Sequence, residues 1–225
     1  MILPEVIPLS LPIAVALVRW RLGLQVRGAE HVPGSGPVLV VSNHQSVLDP
    51  PIIGSSTPRT LHFMAKAELF RIPGFGRLIR NLNAHPVRRE GSDPKALRTA
   101  ARLLEEGEAL LAFPEGTRSR DGSFGEGKPG IGMLAVLTEV PVVPTYVTGT
   151  LHALPRGAWW PRRSKVRVIF GPALHFKPDP GAGRKERYRE AAQEMMRAIA
   201  QLREQDEKMH AVSSVQSQHD VRGGR

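Results

Sequence analysis

The chain has 225 residues, of which 41% are hydrophobic, enough to bury one substantial core and to form a single domain. It contains no cysteine, which excludes disulfide bonds, thiolate catalysis and cysteine-based zinc sites. Lys and Arg number 31 against 21 Asp and Glu, and the formal charge of +10 favours an anionic partner, either a nucleic acid or a membrane surface.

The amino-terminal segment is nearly all apolar and is followed by Arg19, Trp20 and Arg21. Glu5 and three prolines weaken a straight spanning helix, whereas Trp and Arg at the boundary suit a membrane interface. The segment lacks a basic start and a small-residue cleavage site, which argues against a cleaved signal peptide. We expect residues 1–24 to be a membrane anchor, with a buried amino-terminal helix as the alternative.

The first polar cluster follows an apolar, β-branched run at residues 37–41, which predicts a buried strand. His44 lies in the turn that leaves this strand, and Asp49 follows five residues later. On one continuous helix the two side chains would point roughly 140° apart, so contact between them requires a turn. Given that turn, the carboxylate can accept the imidazole N–H, and His44 can act as a general base. An ordinary turn, with Asp49 before two prolines, is the alternative interpretation.

The next part of the chain carries a predicted strand at residues 61–65 and many basic side chains between Arg59 and Arg102. These basic residues surround an apolar segment at residues 70–76. The pattern is typical of a surface that contacts anionic headgroups, and a solvated basic face is the alternative.

The second polar cluster follows another apolar run at residues 109–113, which predicts a further strand. Gly116 allows a ligand to approach the backbone closely, Thr117 offers a hydroxyl, and Arg118 has a planar guanidinium suited to a phosphate. We expect Glu115 to orient Arg118 or a ligand hydroxyl. A salt bridge within a surface loop is the alternative.

The remaining elements alternate between helices and short strands. Asp93 and Pro94 begin a predicted helix as its N-cap and first residue. Strands are predicted at residues 142–147 and 165–170, and apolar residues spaced three and four apart predict an amphipathic helix over residues 184–207.

This alternation predicts an α/β domain over residues 25–207, with a mixed sheet flanked by helices. Residues 208–225 show no hydrophobic periodicity and are predicted to be a disordered tail. Histidines outside the first cluster, including His62, have no carboxylate at a matching spacing, and we expect them to be surface or strand-end residues.

Taken together, the two polar clusters resemble the glycerolipid acyltransferase family. Its first motif, Asn-His-x-x-x-x-Asp, is complete here as Asn43, His44 and Asp49. Its Pro-Glu-Gly-Thr-Arg-Ser motif is complete as residues 114–119.

Two further blocks extend the resemblance, which spans about half of the chain. Residues 83–89 are similar to the family's Gly-x-x-Pro-Val-x-Arg block, except that Asn83 replaces the glycine. This aligns Arg89 with the family arginine, although Arg88 could compete for its role. Residues 140–145 are similar to an apolar, proline-containing block that shapes the site near the acyl pocket.

The resemblance implies an enzyme that transfers a fatty acyl group from a thioester of coenzyme A or acyl carrier protein. The acceptor would be the free hydroxyl of 1-acyl-sn-glycerol-3-phosphate, and the product phosphatidic acid. His44 would be the general base and Asp49 its orienting carboxylate. The resemblance implies no metal or redox cofactor. The acceptor phosphate would be held by Arg89, Glu115, Gly116, Thr117 and Arg118.

Other functions remain open at this stage. The acceptor could be another lysophospholipid or lipid hydroxyl, and a thioester hydrolase or a non-catalytic lipid- or anion-binding protein are further alternatives. A nucleic-acid-binding module is disfavoured, because only 5% of residues are aromatic and no RNA-binding or zinc-finger signature is present. We expect a peripheral or monotopic protein on the cytoplasmic face of the cell membrane, with an anionic membrane surface as partner and no nucleic acid.

Overall fold

The structure, a computed structural model, describes residues 19–88, 93–177 and 183–223, with side chains as far as residue 211. Within these ranges seven strands form one sheet. The strands are β1 (Gln25–Arg27), β2 (Val38–Ser42), β3 (His62–Lys66), β4 (Ala84–Val87), β5 (Ala109–Ala112), β6 (Val142–Thr148) and β7 (Arg167–Phe170).

Helices connect the strands and cover both faces of the sheet. They are α1 (Asp49–Gly54), α2 (Phe75–Asn81), α3 (Pro94–Glu105), α4 (Pro129–Thr138), α5 (Thr150–Ala153) and α6 (Arg184–Gly223). Two 3₁₀ turns, Ala29–His31 and Ala67–Arg71, lie between strands.

The strand order is β1-β7-β6-β2-β5-β3-β4. Five adjacent strands run parallel to one another, namely β6, β2, β5, β3 and β4. Strand β7 runs antiparallel to β6, and β1 runs parallel to β7. The prediction of a mixed sheet in one α/β domain is therefore confirmed. One edge of the sheet, here called the carboxyl edge, collects the carboxyl ends of the five parallel strands and the amino ends of β1 and β7.

All five predicted strands are present, but the sequence analysis missed β1 and β4. Both are short strands at the two sides of the sheet, and several of their residues are exposed or only partly buried. They consequently lack the continuous apolar run that marks the central strands.

The core consists of two layers, one on each face of the sheet. Strand β2 is buried on both faces, with Leu39 and Val41 in one layer and Val38 and Val40 in the other. Helices α3, α4 and α6 cover the first layer, and α1 and α2 cover the second. Gly132 brings α4 and α6 into backbone contact, since a Cβ at this position would lie 1.8 Å from a carbonyl oxygen of α6.

The prediction for α3 is confirmed. The Asp93 carboxylate accepts hydrogen bonds from the backbone N–H groups of Lys95 and Ala96, at 3.2 and 3.1 Å. The backbone hydrogen bonds from Arg88 and Ala96 lower the pKa of Asp93, as expected for an N-cap carboxylate.

Helix α6 starts where the sequence predicts but continues far beyond the predicted end at residue 207. It runs to Gly223 and so passes through the segment predicted to be a disordered tail. The loss of hydrophobic periodicity after residue 207 did not mark the end of the helix, because no glycine or proline occurs between Arg184 and Gly223 to stop it.

Most of the predicted anchor, residues 1–24, lies outside the described part of the chain. Residues 19–21 are helical and lead into β1. Among the described helices, none combines the length and the hydropathy needed to cross a bilayer.

A buried ion pair connects α6 to the sheet. Asp206 is fully buried, and its Oδ2 atom lies 2.8 Å from Arg167 Nε and 2.6 Å from Arg167 Nη2 on β7. Arg27 Nη1 on β1 lies 3.8 Å from the other carboxylate oxygen.

We predict that Asp206→Asn lowers the free energy of unfolding by about 3 kcal/mol, because Arg167 is left with no anionic partner in a mostly buried place. Chemical denaturation measures the change. Glu207→Gln is the matched control, since its pair with Arg203 is exposed and should contribute less than about 1 kcal/mol. Equal losses in the two variants would contradict the assignment.

Candidate active site

His44 and Asp49 are in direct contact at the carboxyl edge. His44 follows β2, Asp49 is the first residue of α1, and Nδ1 of the imidazole lies 2.8 Å from Oδ2 of the carboxylate. A carboxylate can only accept, so Nδ1 carries a proton, and in the neutral ring Nε2 then keeps its lone pair. The turn that a contact between His44 and Asp49 requires is therefore present between these two residues.

Asp49 Oδ2 also organises the backbone of this turn. It accepts hydrogen bonds from the N–H groups of Gln45, at 2.6 Å, and Ser46, at 2.7 Å. Asp49 is fully buried, and its second oxygen, Oδ1, has no hydrogen-bond partner within the described residues. These contacts fix the direction of the carboxylate, and the carboxylate in turn fixes the imidazole.

Two further side chains position the His44 loop. The Phe113 ring stacks on the imidazole with centroids 3.9 Å apart and planes inclined by 18°. Asn43 is clamped to β6, because its Nδ2 donates to the Val147 carbonyl at 2.9 Å and its Oδ1 accepts from Val147 N at 2.8 Å. The sequence analysis did not find these roles, since it assigned Phe113 to a strand and Asn43 only to a motif.

The second polar cluster lies beside the first because β5 is the neighbour of β2. The backbone N–H of Ser119 donates to the His44 carbonyl at 2.7 Å, so the two clusters touch. Two sequence segments about seventy residues apart thus form one site.

The contacts of Glu115 differ from the expectation. Its carboxylate is buried and accepts from two backbone amides, His44 N at 3.0 Å and Gly125 N at 2.9 Å. The expectation that it orients Arg118 is therefore corrected, because the carboxylate points inward between two loops, whereas the orientation of a ligand hydroxyl by Glu115 stays a prediction. Glu115 joins the His44 loop to the loop that follows the second cluster.

The other members of the second cluster face outward. Gly116 and Thr117 are exposed and Arg118 is partly exposed. Gly116 has a φ of +67°, a conformation that glycine adopts without strain. The side chain of Lys128 passes over Gly116, with Cγ 3.5 Å from the place a Cβ would occupy. Gly116, Thr117, Arg118 and Lys128 therefore belong to the segment that contacts the His44 loop.

Residues 83–89, which are similar to the family's Gly-x-x-Pro-Val-x-Arg block, begin at β4, the last strand at one side of the sheet. Arg89 lies outside the described residues. Arg88 follows β4, three strands or about 14 Å from β2, and its Nε lies 3.8 Å from Asp93. Asn83, which replaces the family glycine, has a φ of +60°, and asparagine is among the residues that tolerate this conformation.

A separate histidine pair lies at the opposite edge of the sheet. His62 Nδ1 and His85 Nε2 are 2.9 Å apart, and His62 Nε2 lies 3.5 Å from Glu108. Burial, together with the charges of His62 and Arg102, lowers the pKa of His85. Sequence spacing could not reveal Glu108 as a partner, because only the pairing of β3 with β5 brings it near. Its position at the opposite edge of the sheet excludes this pair from the site.

Comparison with known proteins identifies the family. A family model described as "Acyltransferase" matches residues 23–148, which include both polar clusters. The chain belongs to the acyltransferase family. This acyltransferase resembles the crystal structure of PlsC from Thermotoga maritima, described as a 1-acyl-sn-glycerophosphate (LPA) acyltransferase. The TM-score is 0.65 at 35% identity, covering 80% of this chain and 72% of the other.

Two curated relatives show the extent of the similarity. The 1-acyl-sn-glycerol-3-phosphate acyltransferase of Bacillus subtilis is 31% identical over 157 residues, which are 69% of this chain and 75% of the relative. A chloroplastic 1-acyl-sn-glycerol-3-phosphate acyltransferase of Arabidopsis thaliana is 35% identical over 158 residues, or 68% of this chain. The match spans only 44% of that plant relative.

We predict that Glu115→Gln destabilises the protein by about 1–3 kcal/mol, because an amide has one acceptor oxygen for two backbone N–H donors. One donor would face the amide NH₂ group. Chemical denaturation measures the effect, and Glu126→Gln is the control, since Glu126 is exposed in the adjacent loop. Unfolding transitions that coincide for Glu115→Gln and the control would contradict the bridging role.

Proposed function

We propose that this acyltransferase moves a fatty acyl group from an acyl thioester to the free hydroxyl of 1-acyl-sn-glycerol-3-phosphate, which makes it a 1-acylglycerol-3-phosphate O-acyltransferase that forms phosphatidic acid. The observation that carries the proposal is the contact between His44 and Asp49 beside an exposed cationic cluster. The names of the relatives supply the acceptor.

In the proposed reaction, His44 Nε2 removes the proton from the acceptor hydroxyl. The oxygen then attacks the carbonyl carbon of the thioester, and the C–S bond breaks as the new C–O bond is completed. The leaving thiolate takes the proton back from the imidazolium. Asp49 stabilises the imidazolium through Nδ1–H and keeps the ring in its reactive tautomer. No nucleophilic side chain of the protein is needed.

The second cluster holds the acceptor in this proposal. Arg118 and Thr117 donate to the phosphate, Gly116 leaves room for it, and Lys128 adds a charge from above. Ser119 N donates to the His44 carbonyl, so the second cluster lies next to the base. The acceptor hydroxyl is only a few covalent bonds from its phosphate, and a phosphate held by this cluster therefore places that hydroxyl beside His44. Glu115 contributes by positioning both loops. Arg89 is retained from the resemblance as a further phosphate ligand.

The energetics of Asp49 favour an enzyme over a protein that only binds lipid. A buried carboxylate oxygen without a hydrogen bond costs about 1–3 kcal/mol of stability, and Asp49 Oδ1 is such an atom. Lipid binding alone gives no reason for this arrangement, whereas orientation of a general base does.

Donor and location complete the proposal. The thioester is carried by coenzyme A or by acyl carrier protein, both of which are anionic and suit a chain of charge +10. The acceptor and product are lipids, so the protein works at a membrane surface. The location we propose is the cytoplasmic face of the cell membrane. Residues 1–24 would be its anchor.

We predict that His44→Ala lowers kcat by about 10²–10⁴, the contribution typical of a general base, while the KM for lysophosphatidate changes little. The assay measures thiol release and phosphatidic acid formation in mixed micelles. Asp49→Asn should also lower kcat, because a neutral amide does not stabilise the imidazolium that forms when His44 takes the proton.

The matched control is His152→Ala, which removes an exposed histidine outside the dyad. Turnover of His44→Ala close to that of the control would refute the role of the base. Thiol release that does not require acceptor would instead identify a thioester hydrolase.

We predict that Arg118→Ala raises the KM for the acceptor about 10-fold or more, because a charge-assisted hydrogen bond to phosphate contributes about 1.5–3 kcal/mol. Arg120→Ala, two residues along the same loop, is the control and should leave this KM unchanged. Steady-state kinetics with varied lysophosphatidate make the comparison. An acceptor dependence equal to that of the control would remove Arg118 from the phosphate site.

A further inference from the structure

The tryptophans of this chain are unusually exposed. The chain contains three, and the exposed fractions are 77% for Trp20, 96% for Trp159 and 75% for Trp160. Tryptophan is a residue that folded proteins bury to a large extent, so exposure of every copy requires a cause. A membrane interface is one setting in which tryptophan is enriched, because its ring is apolar and its N–H remains at the level of the headgroups.

Two of the tryptophans lie in a strongly cationic loop. Residues 154–165, between α5 and β7, contain four basic residues and no acidic one. All four side chains are exposed. The four are Arg156, Arg162, Arg163 and Lys165. A loop that presents apolar rings and cations together matches the two components of an anionic bilayer surface, its acyl boundary and its phosphates.

The loop is ordered by its own backbone. Arg162 N donates to the Ala153 carbonyl at 2.7 Å, and Ala158 N donates to the Pro155 carbonyl at 3.1 Å. The tryptophans therefore stand at the tip of a closed loop and do not fold back into the core.

The same loop lies next to the active site. Arg156 Nη2 donates to the Arg118 carbonyl at 2.7 Å, and Ser46 Oγ donates to the Leu154 carbonyl at 3.2 Å. Both polar clusters of the site are thus in contact with residues at the start of this loop.

Trp20 belongs to the same face of the protein. Val166 N donates to the Leu22 carbonyl and Gln25 N donates to the Val166 carbonyl, both at 3.0 Å. The residues that follow the amino-terminal segment therefore run beside the end of the loop, at the carboxyl edge of the sheet.

We propose that residues 154–165 and Trp20 form a docking surface for an anionic lipid bilayer. Its tryptophans enter the headgroup region and its arginines contact lipid phosphates, which directs the carboxyl edge of the sheet, with His44, toward the bilayer. This inference goes beyond the proposed function, because it rests on exposure, charge and position and would hold whatever acyl acceptor the site uses.

The first experiment uses the full chain with Trp159 as the only tryptophan, made by Trp20→Phe and Trp160→Phe. Vesicles of phosphatidylcholine containing about one-third phosphatidylglycerol should shift its emission to shorter wavelength, and lipids brominated on the acyl chains should quench it. The matched control carries all three Trp→Phe changes and Leu137→Trp, since Leu137 is an exposed residue near the end of α4, at the opposite edge of the sheet. The control emission should not shift.

Trp159 emission that stays unchanged while the protein sediments with the vesicles would overturn the proposal, because the amino-terminal segment alone would then hold the membrane. A shift seen only with an acidic protein such as acyl carrier protein would overturn it as well.

The second experiment removes two charges from the surface. Arg162→Ala/Arg163→Ala should weaken partitioning onto the anionic vesicles about 30-fold and leave binding to pure phosphatidylcholine unchanged. Arg197→Ala/Lys208→Ala removes the same charge from exposed sites on α6 and should have a much smaller effect. Equal losses in the two double variants would overturn the assignment of the cationic loop. Neither experiment depends on turnover, so failure of the proposed reaction would be seen separately.

Discussion

One carboxylate oxygen, Asp49 Oδ2, organises the site around it. It accepts three N–H groups, from the His44 ring and from the backbone of Gln45 and Ser46, and this forces the chain to turn between β2 and α1. The arrangement is unfavourable for stability alone, since Asp49 is fully buried and Oδ1 is unpaired. What it achieves is a single imidazole tautomer and a single ring direction, the two properties that a general base requires.

The direction of the strands determines which residues can join this dyad. Because β2 and β5 are parallel neighbours, the segments that follow them leave the sheet at the same edge, and Ser119 bonds to the His44 carbonyl. Glu115 completes the connection by accepting from His44 N and from Gly125 N. The acceptor-binding loops and the base are therefore parts of one hydrogen-bonded unit, in which displacement of either loop also displaces the imidazole.

Sequence reasoning succeeded where the signal was local and failed where tertiary contacts decide. Apolar runs revealed the central strands, and the five-residue spacing of His44 and Asp49 already required the observed turn. The partners of Glu115 could not be predicted, because they are backbone amides, which leave no trace in residue identity. Strand β4 was missed because it is short and half exposed. The length of α6 was underestimated, since no glycine or proline interrupts the helix where its apolar face ends.

The antiparallel pairing of β6 with β7 connects catalysis to the membrane surface we propose. Had β7 run parallel to β6, it would begin at the opposite edge, and the Trp159 loop would have to cross the whole sheet and end away from His44. Reversal of β7 instead keeps residues 154–165 beside the site, and β1, parallel to β7, brings Trp20 to the same edge. An acceptor lipid would then travel only from headgroup level to the carboxyl edge, without its acyl chain crossing water.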